Sequence, residues 1–238
     1  MIAGELIVAE DAQDLAARAA DFIAARMIAS TGTFRFVLSG GSTPRALYAL
    51  LGTRRDLPWQ RTELFWGDER FVPPDHPDSN YRMVRETLLA GGAEPQAIHP
   101  IPTDGTPESA AARYEALLKS EYGEAALTRA RPLFDLNLLG LGEDGHIASL
   151  LPGEPILKER RAWVGAVAHG RAEVRITLTY PALEASRVTM FLVSGASKAD
   201  VLKRARAGDA SIPAGALRPQ GSLVWFADRA AASPQNPC

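Results

Sequence analysis

The sequence has very little cysteine: the single Cys238 is the last of its 238 residues. With one thiol an intramolecular disulfide is impossible, which is compatible with a reducing compartment. No apolar run approaches the roughly 20 residues that cross a bilayer, and the amino terminus has neither the basic start nor the long apolar core of a secretory signal. We therefore expect a cytoplasmic protein that does not contact a membrane.

Histidine and net charge are scarce as well. The four histidines do not follow H-E-x-x-H or a similar metal-binding spacing, which argues against a structural or catalytic metal. The formal net charge of −2 argues against a nucleic-acid partner that is held by bulk positive charge. Hydrophobic residues, by contrast, make up 46% of the chain, and this content predicts a sizeable core.

What the sequence does contain is a regular alternation of strand-like and helix-like segments. No repeat or linker interrupts it, so we predict one α/β domain over residues 1–238, with a mostly parallel sheet, helices on both of its faces and a frayed tail from about residue 232. Strands are predicted at 6–9, 34–38, 64–66, 98–101, from 134, and at 163–167, 174–178, 188–193 and 223–226, and the clearest helices at 11–30 and 107–122.

Four polar segments directly follow predicted strands, at residues 39–44, 67–70, 140–146 and 194–198. In parallel α/β sheets, ligands bind beyond the carboxyl ends of the strands. We therefore predict that these segments form loops that meet at one edge of the sheet and build the functional site there.

Residues 134–149 are the centre of this hypothesis. An apolar strand breaks at glycines and then presents Asp144 and His146. Histidine has the unperturbed pKa nearest to neutral pH, so His146 is the candidate for moving a proton, and Asp144 could act with it on water or on a substrate hydroxyl. The alternative for His146 is a turn histidine that is bonded to backbone.

The glycines of this segment also match a dinucleotide-binding pattern. Gly140, Gly142 and Gly145 fit G-x-G-x-x-G. That pattern requires a helix directly after it, whose amino end receives the pyrophosphate. Only about one helical turn could fit between His146 and Pro152, so we do not predict nucleotide binding.

The segment at residues 40–44 has the composition of an anion site. Small residues, two hydroxyls and a following helix offer exposed backbone N–H groups and a positive helix end, for which phosphate is the natural ligand. The alternative is a tight turn in which Ser or Thr caps the helix and no ligand binds. A nucleophile elbow, G-x-S-x-G, would need glycine where Pro44 stands. The predicted anion-binding residues are Gly40, Gly41, Ser42 and Thr43.

Three cations and two carboxylates are predicted near the same edge. The cation at residue 198 is the most informative, because a positive charge near a helix start is unfavourable unless an anion lies nearby. Each cation could instead be a solvated surface charge, and each carboxylate could belong to a loop salt bridge. The cations are Arg70, Arg175 and Lys198, and the carboxylates are Asp68 and Glu69.

Several of these segments, taken together and in this order, resemble the 6-phosphogluconolactonase family. The resemblance rests on residues 38–44, on 67–73 with 78–81, and on 139–149, and it extends to 175–178 and 194–198. It implies a Rossmann-like α/β fold shared with glucosamine-6-phosphate deaminase. It also implies hydrolysis of 6-phospho-D-glucono-1,5-lactone to 6-phospho-D-gluconate, in the oxidative pentose phosphate pathway, without a metal or an organic cofactor.

The resemblance also implies roles for individual residues. His146 would be the general base, with Asp144 orienting it or the water, and Arg70 would lie near the lactone or the phosphate. The phosphate would be held by Gly40, Gly41, Ser42 and Thr43 together with Arg175 and Lys198. Asp68 would contact the substrate. One departure is Leu151, where the family often has an aromatic residue before Pro-Gly; it could alter the pocket wall.

Two other functions are considered. A glucosamine-6-phosphate deaminase would carry a glycine, an aromatic residue, Asn and Glu after the Gly-His-Ile step, where this chain has Ala-Ser-Leu-Leu at 148–151. A sugar-phosphate-sensing regulator would carry a helix-turn-helix module, for which the early first strand leaves no room in front.

We expect a sugar-phosphate substrate, no nucleic-acid partner, and a monomer or a weak dimer.

Overall fold

The computed structural model describes residues 2, 4–168 and 173–233. Strands and helices alternate along most of this length. The strands are β1 (Glu5–Ala9), β2 (Phe34–Leu38), β3 (Thr62–Trp66), β4 (Asp68–Arg70), β5 (Ala97–His99), β6 (Phe134–Leu139), β7 (Val164–Val167), β8 (Arg175–Leu178), β9 (Ser186–Val193) and β10 (Ser222–Asp228).

Eight α-helices connect or flank these strands in the described residues, and a π-helical turn, Arg85–Leu89, continues the third of them. None of these helices is both long enough and apolar enough to cross a bilayer. The helices are α1 (Ala12–Ala29), α2 (Ser42–Gly52), α3 (Asn80–Val84), α4 (Pro107–Tyr122), α5 (Tyr180–Glu184), α6 (Ala199–Arg206), α7 (Pro213–Ala216) and α8 (Arg229–Ala232).

The main sheet has seven strands in the order β1-β10-β9-β6-β2-β3-β5, and all of its pairs are parallel. From β2 the chain moves outward to β3 and β5, and then returns to the other side of β2 with β6. The topological switch point therefore lies between β2 and β6. In open α/β sheets, the crevice beyond the carboxyl ends at such a point is where ligands bind.

The central strands of this sheet are buried on both faces. All five residues of β3 are buried, and in β9 only Arg187 is exposed. A strand with one solvated face would show alternating burial, so these strands have protein on both sides. The predicted α/β class with a mostly parallel sheet is confirmed.

The predicted strands at 163–167 and 174–178 do not join this sheet. They form β7 and β8, which pair antiparallel with each other, and β8 pairs antiparallel with β4. A parallel crossover needs about a dozen residues or more, and too few separate β7 from β8. The prediction that residues 67–70 form a loop is also wrong, because Asp68–Arg70 is a strand in this second sheet.

The end of the chain is only partly described. The frayed tail was predicted to begin at about residue 232, but Ala232 still belongs to helix α8. Residues 234–238 of that tail, with Cys238, lie outside the described residues. The single domain over residues 1–238 stays a prediction.

Two buried tyrosines fix the carboxyl ends of β2 and β3. The Tyr48 hydroxyl on α2 accepts a hydrogen bond from the Ser39 N–H (2.9 Å) and donates one to the Ser39 carbonyl (2.8 Å). The Tyr114 hydroxyl on α4 does the same for Trp66, at 2.9 and 3.1 Å. Burial raises the pKa of both phenols, so both hydroxyls keep the proton that they donate.

Replacing Tyr48 by phenylalanine is expected to lower the free energy of unfolding by about 1–3 kcal/mol, because the Ser39 N–H and carbonyl would lose their partner in a buried place. Urea denaturation followed by circular dichroism measures the loss. Tyr114→Phe should cause a loss of similar size, since its hydroxyl makes the same pair of bonds. An unchanged midpoint in both variants would contradict this account of the strand ends.

Candidate active site

A pocket of about 310 Å³ opens at the carboxyl edge of the main sheet, beside the switch point. All four polar segments contribute to it, so the predicted convergence is confirmed. Its lining residues are Ser39, Gly40, Gly41, Ser42, Thr43, Pro44, Asp68, Arg70, Asn80, Gly140, Leu141, Gly142, His146, Ala148, Arg175, Leu192, Val193, Ser194 and Lys198.

His146 lies in the turn after β6 and is bonded to Asp144. Its Nδ1 lies 2.5 Å from Asp144 Oδ1, and its backbone N–H donates to the same oxygen at 3.1 Å. A carboxylate only accepts hydrogen bonds, so this contact favours the tautomer with the proton on Nδ1, in which Nε2 has the lone pair. The His146 side chain is 27% exposed. The imidazole is therefore oriented, and solvent can reach it.

The glycine at position 142 makes this orientation possible. A Cβ built at Gly142 would collide with the His146 ring and with the Asp144 carboxylate. The sequence therefore needs glycine here for packing rather than for a dinucleotide. In the fully described stretch between His146 and the 3₁₀ turn Pro155–Lys158 there is no α-helix, so the helix that a dinucleotide site requires is missing.

The amino end of α2 opens into the same pocket. The cap position is held by Gly41, whose φ of 107° favours glycine, and none of the described side chains caps the helix there. The alternative in which Ser or Thr caps this helix is wrong, because Ser42 and Thr43 lie inside the first turn. The N–H groups of this turn and the positive end of the helix are therefore available to an anion.

Asp68 is a buried carboxylate that lines the pocket from β4. It is 6% exposed, and its Oδ2 accepts a hydrogen bond from Ser149 Oγ at 2.6 Å. The Ser149 N–H donates in turn to Thr177 Oγ1 at 3.1 Å, and Thr177 is paired with Asp68 across the antiparallel sheet. Asp68 is thus held by the second sheet and by the segment that carries His146.

The neighbouring Glu69 points the other way along β4. Its two oxygens accept hydrogen bonds from the backbone N–H groups of Arg70 (2.8 Å), Asn80 (2.7 Å) and Tyr81 (2.8 Å) and from Ser79 Oγ (3.1 Å). Burial raises the pKa of the Glu69 carboxyl, although these N–H groups act in the opposite direction. Glu69 therefore anchors the start of α3 and does not line the pocket.

Asn80 is a pocket residue that the sequence analysis did not single out. Its Nδ2 donates to the Asp68 carbonyl at 2.8 Å, and its Oδ1 accepts from Arg70 Nη1 at 3.0 Å. Its side-chain amide also packs so closely on Gly40 that a Cβ there would collide with it. The residue was visible only as part of the quoted segment 78–81, and its role depends on contacts that are remote in sequence.

Lys198 reaches the pocket from the turn between β9 and α6. Its Nζ lies 4.0 Å from Glu143 Oε1, and Ser197 Oγ donates to the same oxygen at 2.7 Å. A positive charge near a helix start was expected to have an anion nearby. In this structure that anion is the Glu143 carboxylate, which belongs to the loop of His146. Arg175 also lines the pocket and is paired with Arg70 across β4 and β8.

A cluster with metal-binding residue types lies outside this pocket. Glu63, His99 and Glu121 each bring one potential ligand atom within 4.8 Å of the others. Arg35 Nε lies 3.5 Å from a Glu63 oxygen, and its Nη2 lies 3.9 Å from a Glu121 oxygen. The arginine thus pairs with both carboxylates, which is typical of a structural ion-pair network. The predicted absence of a metal stays a prediction.

Comparison with known proteins identifies the family. The model of the family described as "Glucosamine-6-phosphate isomerases/6-phosphogluconolactonase" matches residues 10–225. The chain belongs to this family. The predicted resemblance to the 6-phosphogluconolactonase family is thereby confirmed.

Members of the glucosamine-6-phosphate isomerase/6-phosphogluconolactonase family match over nearly the whole chain. The 6-phosphogluconolactonase of a Nostoc species is 39% identical over 232 residues, which cover 94% of this chain and 95% of the relative. That of a Synechocystis species is 42% identical over 217 residues, 89% of each chain. The structure of the Trypanosoma brucei 6-phosphogluconolactonase superposes with a TM-score of 0.83 at 29% identity, covering 98% of each chain.

The pocket of this family member collects almost every residue predicted for the site. The exceptions are Asp144, which is hydrogen-bonded to His146, and Glu69, which lies at the start of α3; neither lines the pocket. The candidate residues that line it are Gly40, Gly41, Ser42, Thr43, Asp68, Arg70, His146, Arg175 and Lys198.

Proposed function

We propose that this family member hydrolyses 6-phospho-D-glucono-1,5-lactone to 6-phospho-D-gluconate, a step of the oxidative pentose phosphate pathway. The observation that carries the proposal is that one pocket combines an oriented histidine with an open helix end and several cations. A base and an anion site in one small pocket suit a small phosphorylated substrate. The 6-phosphogluconolactonases of Nostoc and Synechocystis, which match nearly end to end, support the same substrate.

The phosphate is proposed to bind at the amino end of α2. The backbone N–H groups of residues 40–43 and the helix dipole favour a dianion there. Arg175 and Lys198 add positive charge from two further elements that line the pocket. Binding energy from the phosphate, which does not react, then serves to orient the lactone carbonyl.

His146 is proposed to act as the general base. Its Nε2 takes a proton from water while the water oxygen bonds to C1, and the carbonyl electron pair moves onto the carbonyl oxygen. Arg70 or loop N–H groups stabilise this oxyanion. When the oxyanion collapses, the bond between C1 and the ring oxygen breaks, and the imidazolium returns the proton to that oxygen. Asp144 keeps the ring in the required tautomer, and Asp68 accepts a hydrogen bond from a substrate hydroxyl.

The proposed steps use side chains and backbone groups of this chain alone, with no metal or organic cofactor. The proposed partner is the sugar-phosphate substrate. The cytoplasmic location and the monomer or weak dimer are likewise retained as proposals.

The test is hydrolysis of freshly prepared 6-phosphogluconolactone with purified protein, measured against the spontaneous background. A large acceleration at nanomolar protein is expected. No acceleration by folded protein would contradict the proposal. Glucosamine 6-phosphate is the second substrate to assay, because the family description also names glucosamine-6-phosphate isomerases.

Replacing Lys198 by alanine is expected to raise KM for the lactone by about 10- to 100-fold, since a charge-assisted bond to the phosphate would be lost. Steady-state kinetics measures the change, and kcat should fall much less. Lys203→Ala is the matched control, because Lys203 lies on the helix that follows, is exposed and does not line the pocket. An unchanged KM in Lys198→Ala would remove this residue from the phosphate site.

A further inference from the structure

We infer that Glu143 is a specificity-determining residue: an internal counter-ion that pairs with Lys198 and competes there with the anion of the ligand. The inference rests on the proposed phosphate site and adds a role for a residue that is not among the proposed catalytic or phosphate-binding groups. It predicts that Glu143 weakens the binding of phosphorylated ligands, and so favours release of the product.

The contacts link the loop of His146 to the turn that carries Lys198. Glu143 Oε1 accepts a hydrogen bond from Ser197 Oγ at 2.7 Å and lies 4.0 Å from Lys198 Nζ. Glu143 belongs to the loop after β6 and stands directly before Asp144, whereas Lys198 follows β9. The carboxylate thus reaches the phosphate-side cation from the loop that carries the base His146.

The two partners differ in their exposure. The Glu143 side chain is 67% exposed and the Lys198 side chain 22%. An exposed ion pair at this separation is weak, because water screens it. A phosphate dianion can therefore displace the carboxylate from Lys198. The carboxylate remains nearby after that exchange, tethered to Ser197, and repels the bound anion.

The chemistry of the proposed reaction gives this repulsion a use. Hydrolysis converts the uncharged lactone group of the phosphorylated substrate into a carboxylic acid, which ionises at neutral pH. The product then carries one more negative charge than the substrate. A carboxylate beside Lys198 disfavours the more negative of the two ligands, so Glu143 should weaken product binding more than substrate binding.

The test is the affinity of the full chain for inorganic phosphate and for 6-phosphogluconate, measured by titration calorimetry. Glu143→Gln keeps the shape and removes the charge, and it should bind both anions about three- to tenfold more tightly than the natural chain. Glu108→Gln is the matched control: it removes one negative charge on the first turn of α4, outside the pocket, and should leave both affinities unchanged.

A double variant tests whether the effect passes through Lys198. In a Lys198→Ala background, the gain in anion affinity from Glu143→Gln should shrink, because Glu143 no longer has the Lys198 ammonium group to pair with. The inference would be overturned if Glu143→Gln bound the anions equally well or more weakly than the natural chain. It would also be overturned if the gain were undiminished in the Lys198→Ala background, or if neither protein bound the anions. Because the readout is binding, a failure of lactone hydrolysis alone would contradict the proposed function and leave this result standing.

Discussion

Replacing His146 by glutamine is expected to lower kcat for lactone hydrolysis by about 10²- to 10⁴-fold, the usual contribution of a general base. The physical reason is the bond between Nδ1 and the Asp144 carboxylate, which leaves Nε2 as the acceptor for a proton from water. Glutamine can form hydrogen bonds but cannot take up that proton. Steady-state turnover of fresh lactone, corrected for the spontaneous reaction, measures the loss.

Binding separates this role from a general loss of structure. The His146→Gln variant should still bind 6-phosphogluconate, because the phosphate contacts lie on other elements. His99→Gln is the matched control, since His99 is not among the described residues that line the pocket, and it should keep most of the turnover. Near-normal kcat in His146→Gln would rule out His146 as the base.

The sequence was sufficient to predict where the pocket lies. The loops after β2, β6 and β9 directly follow apolar strands, and parallel strands deliver such loops to one edge. The residue types in those loops, such as the His146 and Asp144 pair, also indicate their chemistry locally. The prediction that the loops converge succeeded because each loop directly follows its strand in the sequence, and the chemistry indicated by the residue types stays a prediction.

The second sheet could not be predicted in the same way. Its strand β4 has only three residues, all of them polar, and it is a strand because it pairs with β8 about 100 residues later. That pairing turns Asp68 and Arg70 towards the pocket and Glu69 away from it. Two further contacts also join segments that are remote in the sequence. They are the contact of Asn80 with Gly40 and the ion pair between Glu143 and Lys198.

Glu69 is a buried residue that helps to hold this remote arrangement. Its carboxylate accepts four hydrogen bonds around the start of α3, and one of the donors is the backbone N–H of Asn80. Asn80 in turn accepts a hydrogen bond from Arg70. Glu69 therefore acts on the pocket through the position of these two side chains.

Replacing Glu69 by glutamine is expected to lower the free energy of unfolding by about 2–4 kcal/mol, because an amide offers one acceptor oxygen where the carboxylate offers two, and buried donors lose their partner. Urea denaturation at pH 7 measures this loss. Glu94→Gln, at an exposed position, is the matched control and should change the midpoint little. A KM for the lactone that rises in Glu69→Gln would show that the displaced Asn80 and Arg70 affect binding.

The pH dependence of that loss tests the environment of the carboxyl group. Burial raises the pKa of Glu69 above its ordinary value of 4.5, so the folded state binds this proton more tightly than the unfolded state does. The contribution of this titration to stability is fully present below pH 4.5 and is lost as the pH rises through the raised pKa.

Glutamine does not titrate, and the other carboxyl groups are common to both proteins. The difference in unfolding free energy between the natural chain and Glu69→Gln should therefore be larger at pH 4 than at pH 7. A smaller difference at pH 4 would mean that the N–H donors outweigh burial, and that Glu69 is held in the folded protein chiefly as the ionised anchor of α3.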